Sequence, residues 1–309
     1  MARSLRDIRR KIKGITSTRQ VTKAMELVSA SKMRKAINSA HMLRQYAQAA
    51  WDILQHIAQA NPGAHPYLQE RPLQNVLIVL ISTDRGLCGS LNTQLFRALN
   101  LYLQELKKIE TFETVDYIAV GRKGQQYLAR TGQKIIAAFP AFSNHPRYRD
   151  ALPVARLLTE SFKAGSYDHV IVLYPDFVSA LVQEPEVKVL LPFSQSEVQA
   201  MAEEFGLRRR PKKKRTSSSS FDHADEFKFE PSVVEVLDSI MPQLTEVQLY
   251  QAVLEAGAAE HSARMVAMRN ATDNASDILD DLTLTYNQTR QANTTTELSE
   301  LSAATAAIG

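Results

Sequence analysis

The single cysteine of the chain, Cys88, lies in a short polar loop, Asp84-Arg85-Gly86-Leu87-Cys88-Gly89-Ser90, directly after an apolar run. A thiol becomes a nucleophile when a neighbouring base takes its proton. The seven histidines, His41, His56, His65, His145, His169, His223 and His261, are scattered, and none forms a meaningful pair with Cys88 or with another histidine. The same scatter argues against a zinc centre, which needs clustered His or Cys ligands. Gly86 and Gly89 resemble a phosphate cradle only superficially, because there is no G-x-G-x-x-G and no P-loop lysine. They read as glycines that free the backbone of a tight strand-to-helix turn. Asp273, Asp277, Asp280 and Asp281 form an acidic patch. A di-metal carboxylate site would add Glu-x-x-His pairs from several helices, whereas Glu260 and His261 are adjacent and splay apart. That patch reads as a solvated face. Arg208 to Arg215 holds seven cations in eight residues, a nucleic-acid signature on its face, with anionic lipid headgroups as another possible contact. No aromatic residue interleaves with it and four serines, Ser217–Ser220, follow, so a solvated insertion is the plainer reading. No catalytic group, metal or cofactor is expected from these residues.

The elements that carry these residues alternate. Residues 75–83, NVLIVLIST, are β-branched and almost wholly apolar, which predicts a strand buried on both faces. A helix is predicted over 91–108, with Leu91, Leu95, Ala98 or Leu99, and Tyr102 on one side. Further strands are expected at 115–120, 134–139 and 169–174, and helices at 121–131 and 150–164. This rhythm predicts a mostly parallel α/β sheet. Residues 177–191 break it, and two short strands around Glu184-Pro185-Glu186 predict an edge hairpin. Residues 197–225 turn into low-complexity sequence, and a helix begins at Pro231-Ser232 and meets Pro242 before the last long helix.

That last stretch, Gln243 to Leu301, has no proline and a single glycine, Gly257. Met268, Ala275 and Leu282 fall seven apart, interleaved by Ala271, Ile278 or Leu279, and Tyr286. This narrow stripe is a coiled-coil seam rather than a globular face. A helix of that length spans roughly 85–90 Å at 1.5 Å per residue, about twice the width of a compact domain of this size. Residues 3–58 carry a matching stripe: Leu5, Ile8, Ile12, Ile15, Val21, Met25, Val28, Ile37, Ala40, Leu43, Ala47, Trp51 and Leu54. Residues 1–35 hold eleven Lys/Arg against Asp7 and Glu26, while residues 245–309 hold nine Asp/Glu against Arg264, Arg269 and Arg290. Opposite charge favours pairing of the two ends with each other. The expected fold class is therefore α/β: a long antiparallel coiled coil of the N- and C-terminal helices with an inserted Rossmann-like α/β domain. Its expected divisions are an N-terminal helix at 1–60, the α/β domain at 72–195, a basic and serine-rich loop at 196–230, and the C-terminal helix at 231–309.

With 309 residues, 44% hydrophobic and 23% charged, the chain has the composition of a soluble folded protein of about two domains. No apolar run approaches 20 residues, so no membrane span is expected. One cysteine allows no internal disulfide and suits a reducing compartment. The amphipathic pattern of the N-terminus continues without a processing site, which reads as mature structure rather than a transit peptide.

Three blocks carry a resemblance. SLRDIRRKIKGITSTRQVTKAMELVSASKMRKA (4–36) resembles the N-terminal helix of the γ subunit of F-type ATP synthases. STDRGLCGSLN (82–92) is similar to that family's middle signature, with Asp84, Arg85, Gly86, Cys88 and Gly89 in the loop. EHSARMVAMRNATDNASDILDDLTLTYNQTRQA (260–292) is similar to its C-terminal signature. The blocks occur in the family's order and span essentially the whole chain. The resemblance implies a non-catalytic rotor shaft, present once per complex inside a ring of three α and three β subunits. The α/β domain would meet the ε subunit and the c-subunit ring. Ion flow through the membrane would turn the ring and shaft, driving the three catalytic β subunits through their conformations in turn, with the reverse in hydrolysis. The resemblance further implies that Met25 faces the acidic segment of the β subunits. Arg290, Gln291, Thr295 and Glu297 match the pattern RQAxxTxEL, whose polar residues engage a β-subunit loop. The implied place is the cytoplasmic face of a bacterial plasma membrane, peripheral and as part of the complex. Here Asn293-Thr294-Thr295-Thr296 is more β-branched than the family's usual stretch, which lowers its helix propensity. Nucleic acid is not expected as a partner. A coiled-coil nucleic-acid binder acting through 208–215, and a small α/β enzyme with Cys88 as nucleophile, are the rival readings.

Overall fold

The computed structural model describes residues 5–60, 66–69, 71–141, 146–193 and 233–308. In chain order these form α1 (Leu5–Ala60), a single 3-10 turn (Pro66–Leu68), β1 (Asn75–Ile81), α2 (Leu91–Leu106), β2 (Thr114–Val120), α3 (Arg122–Arg130), β3 (Ile135–Phe139), α4 (Tyr148–Lys163), β4 (His169–Phe177), β5 (Gln183–Leu191) and α5 (Val233–Ile308). The chain divides into two compact units. One comprises Met1–Ala30 with Arg264–Gly309; the other is Ser31–Ala263.

The second unit is built on one sheet of order β3-β2-β1-β4-β5. β1 pairs in parallel with β2 and with β4, β2 pairs in parallel with β3, and only β5 is antiparallel. The unbroken apolar run of β1 follows from its central place. Leu77, Val79 and Ile81 face one layer with α4 and the first turns of α5, while Val76, Ile78 and Leu80 face the other with α2. Period-two alternation on a sheet covered on both sides leaves no position for a polar residue. In the first layer Val154, Leu158 and Phe162 of α4 meet Leu237, Met241 and Leu244 of α5. In the second, Leu95, Leu99, Tyr102 and Leu106 of α2 form the helical stripe. Each such side chain contributes about 1.5–3 kcal/mol when fully buried.

Two expectations need correction. The edge hairpin does not turn at Glu184-Pro185-Glu186. β4 itself runs on to Phe177, the turn is at 178–182, and Pro185 lies within β5 opposite Pro175. Proline is tolerated there because β5 is an edge strand and because β4 pairs with β1 only as far as Leu173. Nor does Pro242 divide the last helix, since α5 is continuous for 76 residues with Pro242 inside it. A proline inside a helix costs about 3 kcal/mol. Burial of Leu237, Met241, Leu244 and Val247 around it, none more than 7% exposed, offsets that cost. The expected basic loop 196–230 and its continuation to Ser232 lie outside the described residues.

In the first unit α1 and α5 run antiparallel. Arg9 meets Tyr286, and Thr22, further along α1, meets Thr272, which comes earlier on α5. The buried positions are Ile8, Thr22 and Ser29 on α1, and Met268, Ala275 and Leu279 on α5. Of the alternatives Ile278 and Leu279, only Leu279 faces inward, Ile278 being 48% exposed. The expected α1 stripe is off by one residue at Val21 and Val28, while Ala40 is buried as expected. Val21 and Val28 are more than half exposed, and their neighbours Thr22 and Ser29 are buried instead. Steps of three and four from Ile8, Ile12 and Ile15 arrive at Thr22 and Ser29. Helix geometry, not hydrophobicity, fixes the phase of the seam.

Candidate functional site

Two sets of residues stand out. In the helical unit, the outward faces of both helices are charged or apolar. Arg6, Arg9, Arg10, Lys11, Lys13 and Lys23 of α1 are exposed, as are Asp273, Asp277, Asp280 and Asp281 of α5. Local pairs such as Lys23–Glu26 at 3.0 Å trim the charge without cancelling it. Val21, Leu27 and Val28 are also exposed on α1, as are Ile278, Leu284, Leu298 and Leu301 on α5. Met25 is half-buried, and Arg290, Gln291, Thr295 and Glu297 are all exposed on α5. The β-branched stretch beside them stays helical: the hydroxyls of Thr294, Thr295 and Thr296 each donate to the carbonyl four residues back, at 3.0 Å. These local bonds satisfy the three hydroxyls within the helix itself.

In the α/β unit, the loop after β1 is a structural junction. Asp84 is not poised as an acid or base toward a cleft; its Oδ1 accepts the backbone N–H groups of Arg122 at 2.9 Å and Ala141 at 3.1 Å. It therefore ties together the segments that follow β1, β2 and β3. The Thr83 hydroxyl donates to the Arg85 carbonyl at 2.8 Å and accepts from the Asn92 amide at 2.8 Å. Leu87 adopts φ 65° and Gly89 φ 59°, so the chain reverses through two left-handed residues. Arg85, Gly86, Leu87 and Gly89 are exposed, while Cys88 is 2% exposed. Ser82, at the end of β1, was not singled out by sequence reasoning. Its Oγ donates to the Val120 carbonyl and accepts the Gly124 N–H at 2.7 Å. A Cβ on Gly121 would lie 2.2 Å from the Ser82 carbonyl oxygen, and Gly121 has φ +96°, so glycine is required there. The signal in the sequence was the Gly121-x-x-Gly124 spacing straight after a strand.

β1 and β4 are neighbours, but the chain reaches one side of the sheet through β2 and β3 and then crosses to β4. Such a reversal is where α/β sheets commonly hold ligands, beyond the C-terminal strand ends. Here that place is filled from within. Cys88 and Leu91 pack with Phe177 of β4 and with Ala259 and Ala263 of α5. Polar contacts fix the same helix. Tyr174 donates to Glu255 at 2.8 Å, Gln251 donates to Glu255 at 3.1 Å, and the Ser262 hydroxyl donates to the Ala180 carbonyl at 2.7 Å. Burial first, then the negative charges of Glu186, Glu255 and Asp176, holds the Tyr174 phenol well above its ordinary value, so it remains a donor. Cys88 is walled by side chains of its own chain rather than opened to a substrate, as a nucleophile must be. Among the described residues no group of three or more His, Cys, Asp and Glu is placed to hold a metal ion, and no helix is long and apolar enough to cross a membrane. The two sets of predicted residues lie in different units: Met25 and Arg290–Glu297 in the helical one, Asp84–Gly89 in the α/β one.

The ATP synthase family model matches residues 4–308. The chain is 41% identical to the ATP synthase gamma chain of Roseiflexus sp. (strain RS-1), over 99% of its own length and 98% of that protein's. It is 36% identical to the gamma chain of Legionella pneumophila (strain Corby), over 98% and 99% respectively. The chain belongs to the ATP synthase gamma chain family. Solved structures agree in fold. A chain in the Euglena gracilis mitochondrial ATP synthase, in its OSCP/F1/c-ring assembly, superposes with a TM-score of 0.63 at 19% identity, covering 98% of this chain and 94% of that one. A chain of the rotor of the same enzyme gives 0.59 at 21% identity, covering 93% and 98%. As a gamma chain this protein is a rotor shaft and a non-catalytic subunit of ATP synthase. The self-filled crevice and the walled-in Cys88 suit a part that transmits motion instead of binding a substrate.

Proposed function

We propose that this chain is the shaft of a membrane-associated ATP synthase, present once within a ring of three α and three β subunits. It couples ion-driven rotation of a c-subunit ring to the conformational cycle of the β subunits, and an ε subunit binds its α/β unit. The complex lies on the cytoplasmic face of a bacterial membrane. Met25 with the exposed Val21, Leu27 and Val28 forms one bearing surface against the ring. Arg290, Gln291, Thr295 and Glu297 with Leu298 form a second. Scattered apolar residues among charges suit contacts that must form and break at each step, because a single large apolar patch would hold one subunit too tightly. The observation that carries this reading is the family match over residues 4–308, joined to the antiparallel pairing of the two ends of the chain.

The test is the native mass of the complex formed when this chain is co-expressed with its own α and β subunits. One copy per three α and three β, lost when residues 1–20 and 286–309 are both removed, is the expected result. A chain that stays monomeric beside α and β would overturn the reading. So would co-purification with nucleic acid that deletion of 208–215 abolishes.

A further inference from the structure

The seam between α1 and α5 changes character along its length. Toward the start of α1 its inward residues are large, with Ile8 only 1% exposed. Further along, apart from the flexible Met268 at 5% exposed, they are small or polar: Thr22 at 9%, Ser29 at 3% and Ala275 at 6%. Knobs of Ala, Ser and Thr differ little in size. If one helix slid along the other by one turn, about 5.4 Å, such knobs would meet nearly equivalent holes. Packing alone discriminates weakly between the two registers in this stretch, so a directional contact is needed.

Two such contacts cross the seam. The Thr22 and Thr272 hydroxyls lie 2.8 Å apart, and the Thr272 hydroxyl is 2.8 Å from the Met268 carbonyl. Each hydroxyl has one proton, and the Thr22 hydroxyl also lies 3.1 Å from the Arg19 carbonyl. One hydroxyl therefore donates across the seam and the other donates to a carbonyl of its own helix, Met268 for Thr272 or Arg19 for Thr22. The second contact is Arg9, whose Nη2 donates to the Tyr286 hydroxyl at 2.6 Å while its guanidinium lies 5.6 Å from the ring centre. From Arg9 to Thr22 is 13 positions and from Tyr286 to Thr272 is 14, so both contacts belong to one register. They are about 20 Å apart along the pair at 1.5 Å per residue. Two directional contacts at that separation are satisfied together only when neither helix has slid.

We propose that Thr22 and Thr272, seconded by Arg9 and Tyr286, are the positioning residues that lock the shaft helices in one axial register. Torsion on the pair is then transmitted as rotation and not taken up as sliding. This rests on the shaft reading above. A buried polar residue in a helix seam fixes register at some expense in stability, a role well attested in coiled coils.

The test uses the full chain assembled with its α, β, ε and c subunits, carrying Cys88→Ser so that introduced cysteines alone react. Asn92 already donates to the Cys88 sulfur and can serve the hydroxyl. Spin labels at the exposed positions Lys13 and Thr285 report the axial offset of the helices through their distance distribution. The parent gives one narrow distance. Thr22→Val with Thr272→Val, nearly isosteric, gives a second population displaced by one turn, at a tenth or more of the total. ATP synthesised per ion translocated falls at least threefold, while the thermal midpoint of the complex is unchanged or higher. Thr22→Ser with Thr272→Ser restores the single distance and the coupling. Tyr286→Phe, which removes one oxygen, broadens the distribution of Thr22→Val beyond that of Thr22→Val alone. A single unchanged distance and unchanged coupling in the double valine variant overturns the register lock while leaving the shaft reading in place. Failure of the parent chain to enter the complex overturns the shaft reading itself.

Discussion

The two units of this chain solve opposite problems. In the α/β unit, β1 from Val76 to Leu80 is 0% exposed, and the sheet is covered on both faces. In the helical unit, Val21 and Leu27 are 55% and 60% exposed, while Thr22 and Ser29 occupy the interior. The first arrangement buries both faces of its sheet and leaves apolar residues such as Leu101 and Leu181 exposed only away from that core. The second leaves apolar groups outside and closes a narrow seam with Ile8, Met268 and Leu279, small side chains and a few hydrogen bonds. The contrast teaches that exposed hydrophobes on α1 and α5 are not failures of packing. On the proposed reading they are the surface on which a bearing is built.

That contrast can be broken by substitution. The largest effect is expected for Gly121→Val, which adds a branched side chain at φ +96° against the Ser82 carbonyl. A loss of more than about 3 kcal/mol follows from strain at such a site. Chemical denaturation should show the α/β unit's transition lost or strongly displaced. Next comes Phe162→Ala. Phe162 is fully buried and stacked 5.6 Å from Tyr67, and its truncation should cost about 3–5 kcal/mol by the same measurement.

Tyr174→Phe leaves Glu255 without its 2.8 Å donor and should cost about 1–3 kcal/mol, seen as faster amide exchange around residues 251–262. Alkali sharpens the comparison further. Burial, with Asp238 also raising it, pushes Tyr67 up to about 12, and burial, with its hydrogen bond to Asp116, pushes Tyr167 up to about 12. Both folded values exceed the ordinary value of about 10, so the folded state holds these protons more tightly. Their stabilising contribution is complete below pH 10 and is lost as pH rises from 10 through 12. Thermal melts across that window should show the α/β unit weakening with each step. The smallest effect is expected for Val28→Ala on the exposed face of α1, within about 0.5 kcal/mol for the free chain. If Val28→Ala destabilised the free chain as much as Phe162→Ala, the two regions would be built alike and the contrast would fall.

Much of this architecture was legible in the sequence, and the residues that were not share a cause. The β1 run and the α2 stripe could be read because burial on both faces of a sheet, or on one face of a helix, leaves an unmistakable apolar period. The α1 seam was misplaced by one residue at Val21 and Val28, because they offered an apolar rhythm that the three-dimensional phase of the helix does not follow. Proline misled twice. Pro185 sits harmlessly on an edge, and Pro242 is carried by the burial of its neighbours. The loop at Asp84–Gly89 was visible as a motif, but not as the tie among three strand ends, since Arg122 and Ala141 contribute only backbone N–H groups. Backbone partners leave no trace in residue types. The proposed partner surface at Met25, Arg290, Gln291, Thr295 and Glu297 came from family resemblance alone, because exposed helix residues have no internal period that marks them.

The pairing of Arg9 with Tyr286 joins positions 277 residues apart, and the crevice beside Cys88 is completed by Ala259 and Ala263, the last of its lining to be made. Translation at 5–20 residues per second separates the emergence of those partners by on the order of 10–60 s. For that interval Ile8, Ile12 and Ile15 have no native partner, and the sheet lacks its final plug. A chain that stops early on the ribosome therefore ends with both units visibly unfinished. Chaperones and proteases can recognise such a chain before it reaches an assembly that one defective shaft would idle.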